Sequence, residues 1–192
     1  MRYNPEIHKR KSIRMKGYDY SQAGLYFITI CCDGRFCRFG NIENDEMILN
    51  EYGTIAYNEW GKLSERFFNF ELDVFQIMPN HMHGIIVLNN VGAGFTPDLN
   101  DVIDKNDAQV IDADIRAGAS PAPTITDIVG AYKSLVAKGC LEIYKFRNET
   151  MGKIWQRNYY EHIIRNQQSY NTISNYIINN PAQWQADKFY TI

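Results

Sequence analysis

Two histidines separated by one residue have the types and spacing for a small metal site, and a tyrosine followed four residues later by an asparagine can set a phenol beside a carboxamide. The histidines lie in Met78-Pro79-Asn80-His81-Met82-His83-Gly84, which runs on into the apolar stretch Ile85–Leu88. On an extended strand residues i and i+2 share a face, so His81 and His83 project together while Met82 turns to the other side. Adjacent imidazoles on a rigid strand supply much of a small metal site. The bland alternative is a pair of partly exposed strand histidines, and the His-x-His pattern taken alone favours it.

The tyrosine lies in Ser174-Asn175-Tyr176-Ile177-Ile178-Asn179-Asn180-Pro181. Ile173, Ile177 and Ile178, with Tyr170 and Tyr176, fit a short amphipathic helix. Pro181 disfavours helical geometry at the residue before it, so the helix should end near Asn180. Tyr176 and Asn180 are then i and i+4 on one face, a phenol one turn from a carboxamide. The chain has 13 tyrosines, so the default reading of any one is core packing with a polar tip.

Pro79-Asn80-His81-Met82-His83-Gly84, then Ile154-Trp155-Gln156-Arg157-Asn158-Tyr159-Tyr160-Glu161-His162-Ile163-Ile164-Arg165-Asn166, then Tyr176-Ile177-Ile178-Asn179-Asn180-Pro181 follow one another as in the single-tyrosine HUH transposases. Within these the chain resembles the REP-associated tyrosine transposases, from about Arg10 to about Trp184 apart from one insertion. The resemblance implies an α+β HUH endonuclease fold of the ferredoxin-like or RRM-like kind, an antiparallel sheet with helices packed against it. It implies that His81, His83 and Asn180 bind a divalent metal and that Tyr176 attacks a DNA phosphodiester. Other branches carry glutamine at the third ligand position. The activity implied is a transposase: a metal-dependent endonuclease and strand transferase on single-stranded DNA with palindromic hairpins. Some relatives swap the tyrosine helix between subunits, whereas closer ones complete the site within one chain. A monomer is therefore the expectation and a dimer the alternative.

That chemistry has a physical logic. A phosphodiester is shielded by its own charge, and a neutral phenol attacks it poorly. A divalent cation beside the scissile phosphate withdraws charge and holds the phosphorus in line with the nucleophile. Two imidazoles and an amide oxygen leave coordination positions open and suit Mg²⁺ or Mn²⁺, with imidazole tilting the preference toward Mn²⁺. Attack by Tyr176 leaves a covalent 5′-phosphotyrosine and a free 3′-hydroxyl, which conserves bond energy for rejoining. Two rivals stand against this reading. One is a domesticated, non-catalytic nucleic-acid binder on the same fold; the other is a phosphodiesterase that uses water instead of tyrosine.

Candidate DNA contacts are the basic arm Lys9, Arg10, Lys11 and Arg14, and the group Trp155, Gln156, Arg157 and Arg165. The second group mixes aromatic and polar side chains as single-strand binders do. A solvated terminus and a core-facing Trp-Tyr cluster are the plainer readings of the two.

The 192 residues suit one domain over 1–192. A hydrophobic share of 45% and a charged share of 22% are those of an ordinary globular protein. No stretch is apolar enough to span a bilayer, and the basic N-terminus lacks a signal-peptide core. Cys31, Cys32, Cys37 and Cys140 show no disulfide-framework spacing, so reduced thiols and a cytoplasmic location are expected, with zinc on Cys31 or Cys37 as a lesser alternative. The net charge of −2 is unusual for a DNA-binding chain. Residues 89–123, however, carry Asp98, Asp101, Asp104, Asp107, Asp112 and Asp114 against Lys105 and Arg116, so the acidity is concentrated there and the remainder is mildly basic. With its glycines and prolines, 89–123 reads as a long polar insertion.

The elements that must position the histidines and the tyrosine follow from periodicity. Tyr26–Cys31 reads as a buried strand. Met47–Leu49 reads as a short strand before a helix over about 51–68, on which Ile55, Trp60, Leu63 and Phe67 form a stripe. Leu72–Met78 and Gly84–Leu88 read as strands joined by a Pro79-Asn80 turn, with the histidines on the second. Asp127 to about Tyr144 reads as a helix that packs Ile128, Val129, Leu135, Val136 and Leu141 inward. A last short strand is expected near Lys153–Gln156.

Overall fold

The structure, a computed structural model, describes residues 22–89 and 123–191. The arm Lys9, Arg10, Lys11 and Arg14 lies outside the described residues, as does the acidic insertion except for its end residues Asn89 and Pro123. The elements in chain order are β1 (Gly24–Cys31), β2 (Gly40–Glu43), β3 (Glu46–Leu49), α1 (Glu51–Gly61), β4 (Phe70–Met78), β5 (His81–Leu88), α2 (Ile125–Phe146), β6 (Tyr160–Ile164) and α3 (Gln167–Asn179).

Four strands form an antiparallel sheet in the order β4-β5-β1-β6. With α1 between β1 and β4, and α2 between β5 and β6, this is the split β-α-β ferredoxin-like plan. The α+β architecture expected from the sequence is the one observed. α1 and α2 cover one face, where Tyr26, Ile28, Ile30, Trp60, Met82, Ile86, Tyr132 and Val136 make the main core. Burying each such side chain contributes about 1.5–3 kcal/mol before the entropy of ordering it. α3 lies on the opposite face, where Ile177 packs on Ile85 and Ile164 with Phe27 and Ile173 beside them.

Local chemistry explains the element ends. The Asn50 side chain accepts from the Gly53 amide and starts α1. Thr124 and Asp127 close a capping box at the head of α2. Asn166 accepts from the Ser169 amide to open α3, and Pro181 turns the chain into a 3₁₀ segment, Pro181–Ala186. The Pro79-Asn80 turn joins β4 to β5 as expected, with a register shift in β4 between Leu72 and Phe75.

Two expectations need correction, and a third gains detail. The helix starting at Glu51 ends at Gly61 and continues as a 3₁₀ turn, Lys62–Glu65, rather than running as one helix to 68. The short strand expected at Met47–Leu49 is present within β3, where it forms the second arm of a separate two-stranded hairpin with β2, closed by Asn44 and Asp45 at φ 50° and 65°. The segment near Lys153–Gln156 makes only one bridge, Cys32 to Trp155, and the true last strand is Tyr160–Ile164.

Candidate functional site

The strand periodicity of β5 divides its residues as the sequence indicates: Met82 enters the α1/α2 core, while His81 and His83 face the α3 side. Both histidines are fully buried, which removes the partly exposed alternative. Their Nε2 atoms lie 3.0 Å apart. Nδ1 of His81 meets Asn80 Oδ1 at 2.8 Å, and Nδ1 of His83 meets Oγ1 of Thr29, its cross-strand neighbour on β1, at 2.7 Å.

α3 brings Tyr176 over this pair. The Tyr176 hydroxyl is 3.1 Å from His83 Nε2 and donates to Asp187 Oδ2 at 2.8 Å. Asn180, the C-cap of α3 and fully buried, donates through Nδ2 to the same Asp187 oxygen at 2.8 Å. Phe189 then crosses the imidazoles, its ring centre 4.6 Å from that of His81 and 6.0 Å from that of His83. A cavity of about 290 Å³, lined by Tyr176, Asn180, Gln183, Ala186, Asp187 and Lys188, opens on the phenol.

The electrostatics follow from burial. Desolvation lowers His81 from 6.5 to about 4 despite the nearby Asp187 carboxylate, and lowers His83 well below its ordinary value with His81 adding to the effect. Both rings are neutral at pH 7, with lone pairs available as ligands. Burial, and after it the hydrogen bond to Asp187, pushes the Tyr176 phenol up. Burial also pushes Asp187 up, but donors from Asn180, the Phe189 amide and Tyr176 outweigh it and hold the carboxyl below its usual range.

His81, His83 and Asp187 each offer a ligand atom, all within 4.8 Å of one another, so this cluster could hold a metal ion. Asn180 Oδ1 is a buried acceptor with no hydrogen-bond partner. Such an orphan costs on the order of 1–3 kcal/mol unless a ligand satisfies it. Two neutral imidazoles and a carboxylate this close together fit a divalent ion. Among the described residues this is the one such group, and it contains no cysteine. Cys31, Cys32 and Cys140 are buried free thiols pushed upward by burial, which leaves no support for zinc on Cys31 or Cys37.

The candidate DNA contacts are disposed differently. Trp155 is 8% exposed, packs on Phe39 and Tyr132, and donates Nε1–H to the Lys133 carbonyl at 3.2 Å. It is a core residue, not a stacking platform, and that expectation is corrected. Gln156 is half-buried, Arg157 and Arg165 are exposed, and Lys133 Nζ holds the Gln156 and Arg157 carbonyls at 2.7 and 3.0 Å. Sequence reasoning missed Thr29, Asn80 and Asp187 as members of the site. Asn80 stood in the histidine motif and as a turn residue without a role of its own, and Asp187 carried no signal.

The fold is an α+β architecture also seen in a solved REP-associated tyrosine transposase bound to a REP hairpin. That structure matches with a TM-score of 0.53 and 19% identity over 88% of this chain and 74% of its own. A putative transposase from Deinococcus radiodurans R1 aligns at a TM-score of 0.45 and 16% identity, over 86% of this chain and 95% of its own. No family model matches the sequence. An uncharacterized protein of Haemophilus influenzae (strain Rd) is 39% identical over 98% of this chain and 97% of its own length, and the chain belongs to the family of that protein.

Proposed function

We propose that this protein is a transposase-like DNA-processing enzyme, an HUH endonuclease and strand transferase that cleaves single-stranded DNA near palindromic hairpins through a covalent 5′-phosphotyrosine on Tyr176. The observation that carries the reading is the Tyr176 hydroxyl, 3.1 Å from His83 Nε2 and hydrogen-bonded to Asp187. A hydroxyl held against a convergent imidazole pair suits covalent phosphoryl transfer, in which a positioned nucleophile attacks beside groups that can neutralise charge.

His81, His83 and Asn180 hold the metal in this reading, Mg²⁺ or Mn²⁺, with Asp187 adding its charge to the same cluster. When bound, the ion neutralises developing charge on the phosphate. Tyr176 Oη forms the bond to phosphorus while the P–O3′ bond breaks. Asp187 Oδ2, already the acceptor for the phenol proton, receives it, and the departing 3′ oxygen takes a proton from water. Rejoining reverses these transfers, with Asp187 returning the proton to the phenol. Arg157 and Arg165, with Gln156, are the proposed phosphate and base contacts in the described chain, and Lys9, Arg10, Lys11 and Arg14 of the N-terminal arm add to them. In this reading the protein acts as a monomer, with a dimer that exchanges α3 as the alternative.

The test is to incubate the protein with hairpin-bearing single strands and Mn²⁺, denature it, and look for protein-linked DNA. Adduct that disappears with EDTA, and with His81→Ala, is the expected result. Cleavage without adduct would indicate a water nucleophile, and binding without cleavage a domesticated binder; either result overturns the proposal.

A further inference from the structure

The fully buried Asn80 side chain sits between the histidine pair and the segment that carries Asp187 and Phe189. Its Nδ2 lies 2.8 Å from the Phe189 carbonyl, 3.2 Å from the Arg35 carbonyl and 3.1 Å from Thr191 Oγ1. Carbonyl oxygens only accept, so the group facing them is the NH₂ and the amide has one possible orientation. Oδ1 therefore faces His81 Nδ1 at 2.8 Å, and an acceptor there requires a proton on that nitrogen. His81 Nε2 is then a bare lone pair aimed at His83 Nε2, 3.0 Å away.

The second ring resolves the other way. His83 Nε2 faces that lone pair and also Tyr176 Oη, whose own proton is engaged by Asp187. Both neighbours accept, so in this arrangement His83 carries its proton on Nε2. Its Nδ1 accepts from Thr29 Oγ1 at 2.7 Å. A threonine hydroxyl serves equally as donor or acceptor because its proton rotates.

We propose that Asn80 is a positioning residue that locks His81 in the Nδ1–H tautomer with Nε2 free as a ligand, and that the Thr29 hydroxyl lets His83 move its proton from Nε2 to Nδ1 when a divalent cation takes both Nε2 lone pairs. The balance is simple: one proton leaves Nε2, one arrives at Nδ1 through exchange with water, and Thr29 turns from donor to acceptor. The same Asn80 amide grips the Phe189 carbonyl, so the ligand tautomer is tied to the segment that holds Asp187 against Tyr176. The purpose of the lock rests on the metal-site reading above; the tautomers of the metal-free protein do not.

Two-bond ¹H–¹⁵N correlation spectra of the metal-free protein at neutral pH test the assignment. The expected patterns are Nδ1–H for His81 and Nε2–H for His83, with His83 converting to Nδ1–H when Zn²⁺ is added as a diamagnetic probe. Asn80→Ala should give His81 a mixture of tautomers and weaken Mn²⁺ binding, read by electron paramagnetic resonance, by roughly 10–100-fold. Asn80→Asp keeps the acceptor for His81 while losing the grip on the carbonyls, so His81 should remain Nδ1–H. A residue that only fills space would not separate the two variants in this way. An Nε2–H His81 in the wild type, a His83 that keeps Nε2–H with Zn²⁺ bound, or an unchanged His81 tautomer in Asn80→Ala overturns the proposal. Wild-type protein with the expected tautomers but no Mn²⁺ uptake overturns the metal reading and leaves the lock standing.

Discussion

The Tyr176 hydroxyl and His83 Nε2 are 3.1 Å apart although 93 residues separate them in the chain. Two independent periodicities meet there. Strand alternation on β5 points His83 at the α3 face, and the apolar stripe of α3 seats Ile177 on Ile85, which leaves the neighbouring Tyr176 above the imidazoles. The phenol ring also meets Phe27 edge-on at 6.3 Å, so its position is set by packing on both sides.

Replacing Tyr176 with phenylalanine removes the proposed nucleophilic oxygen and keeps the ring that packs on Phe27 and His83. Covalent DNA attachment should fall to background. The fold, Mn²⁺ binding and affinity for hairpin DNA should change by less than about threefold, the scale of a lost partly exposed hydrogen bond. Labelled DNA that stays protein-linked in this variant after denaturation would remove Tyr176 from the chemistry.

Asp187→Asn is nearly isosteric and removes the group that accepts the phenol proton. Adduct formation should slow by roughly 10²–10⁴-fold, the usual scale of general acid–base assistance. Loss of a negative charge beside a DNA phosphate should leave DNA binding unchanged or tighter, so rate and affinity move apart. Equal losses in both would point to local unfolding of the 187–191 segment instead.

How much of this was legible beforehand depended on whether a feature is periodic. The His81/His83 face, the Tyr176/Asn180 face, the Pro181 stop and the β1, β4 and β5 strands all obey short repeats that a sequence displays. β6 was misplaced because Tyr160–Ile164 is a short edge strand, paired on one side only to β1, while aromatic Trp155 drew the expectation upstream. Asp187 follows a 3₁₀ turn whose buried Trp184 fixes its direction. Asn80 and Thr29 act through contacts across the fold. No spacing rule encodes such contacts, because tertiary packing alone decides them.

The buried neutral histidines also set a pH dependence of stability. His81 falls from 6.5 to about 4 in the folded chain and His83 falls in the same direction, both through burial. Between these values the unfolded chain binds protons that the folded chain refuses, so stability is full above about pH 6.5 and declines as pH drops toward 4. His81 alone should contribute a loss on the order of 1–2 kcal/mol between pH 7 and pH 5. Urea midpoints of the metal-free protein at the two values measure it, and His81→Gln should flatten the slope. An equal slope in that variant would move the effect to other groups.

Gly84 completes the histidine motif, yet its role is structural. A β-carbon there would point into the α1/α2 core, away from Tyr176, and would lie 2.7 Å from Trp60 Cζ2, 3.1 Å from Cη2 and 3.4 Å from Phe75 Cβ. Trp60 is fully buried and its ring meets Tyr132 edge-on at 5.1 Å, so it has little room to retreat. Gly84→Ala should therefore destabilise the fold by about 1–3 kcal/mol, the range for overpacking a filled core. Urea unfolding would register that as a lower midpoint at an unchanged slope. Because the clash is on the far face of the sheet, the variant should still form Tyr176-linked DNA at low temperature, where it remains folded. An unaltered midpoint would mean that Trp60 does not press on the strand, whereas a folded variant without adduct would mean that the two faces of β5 are coupled more tightly than their packing indicates.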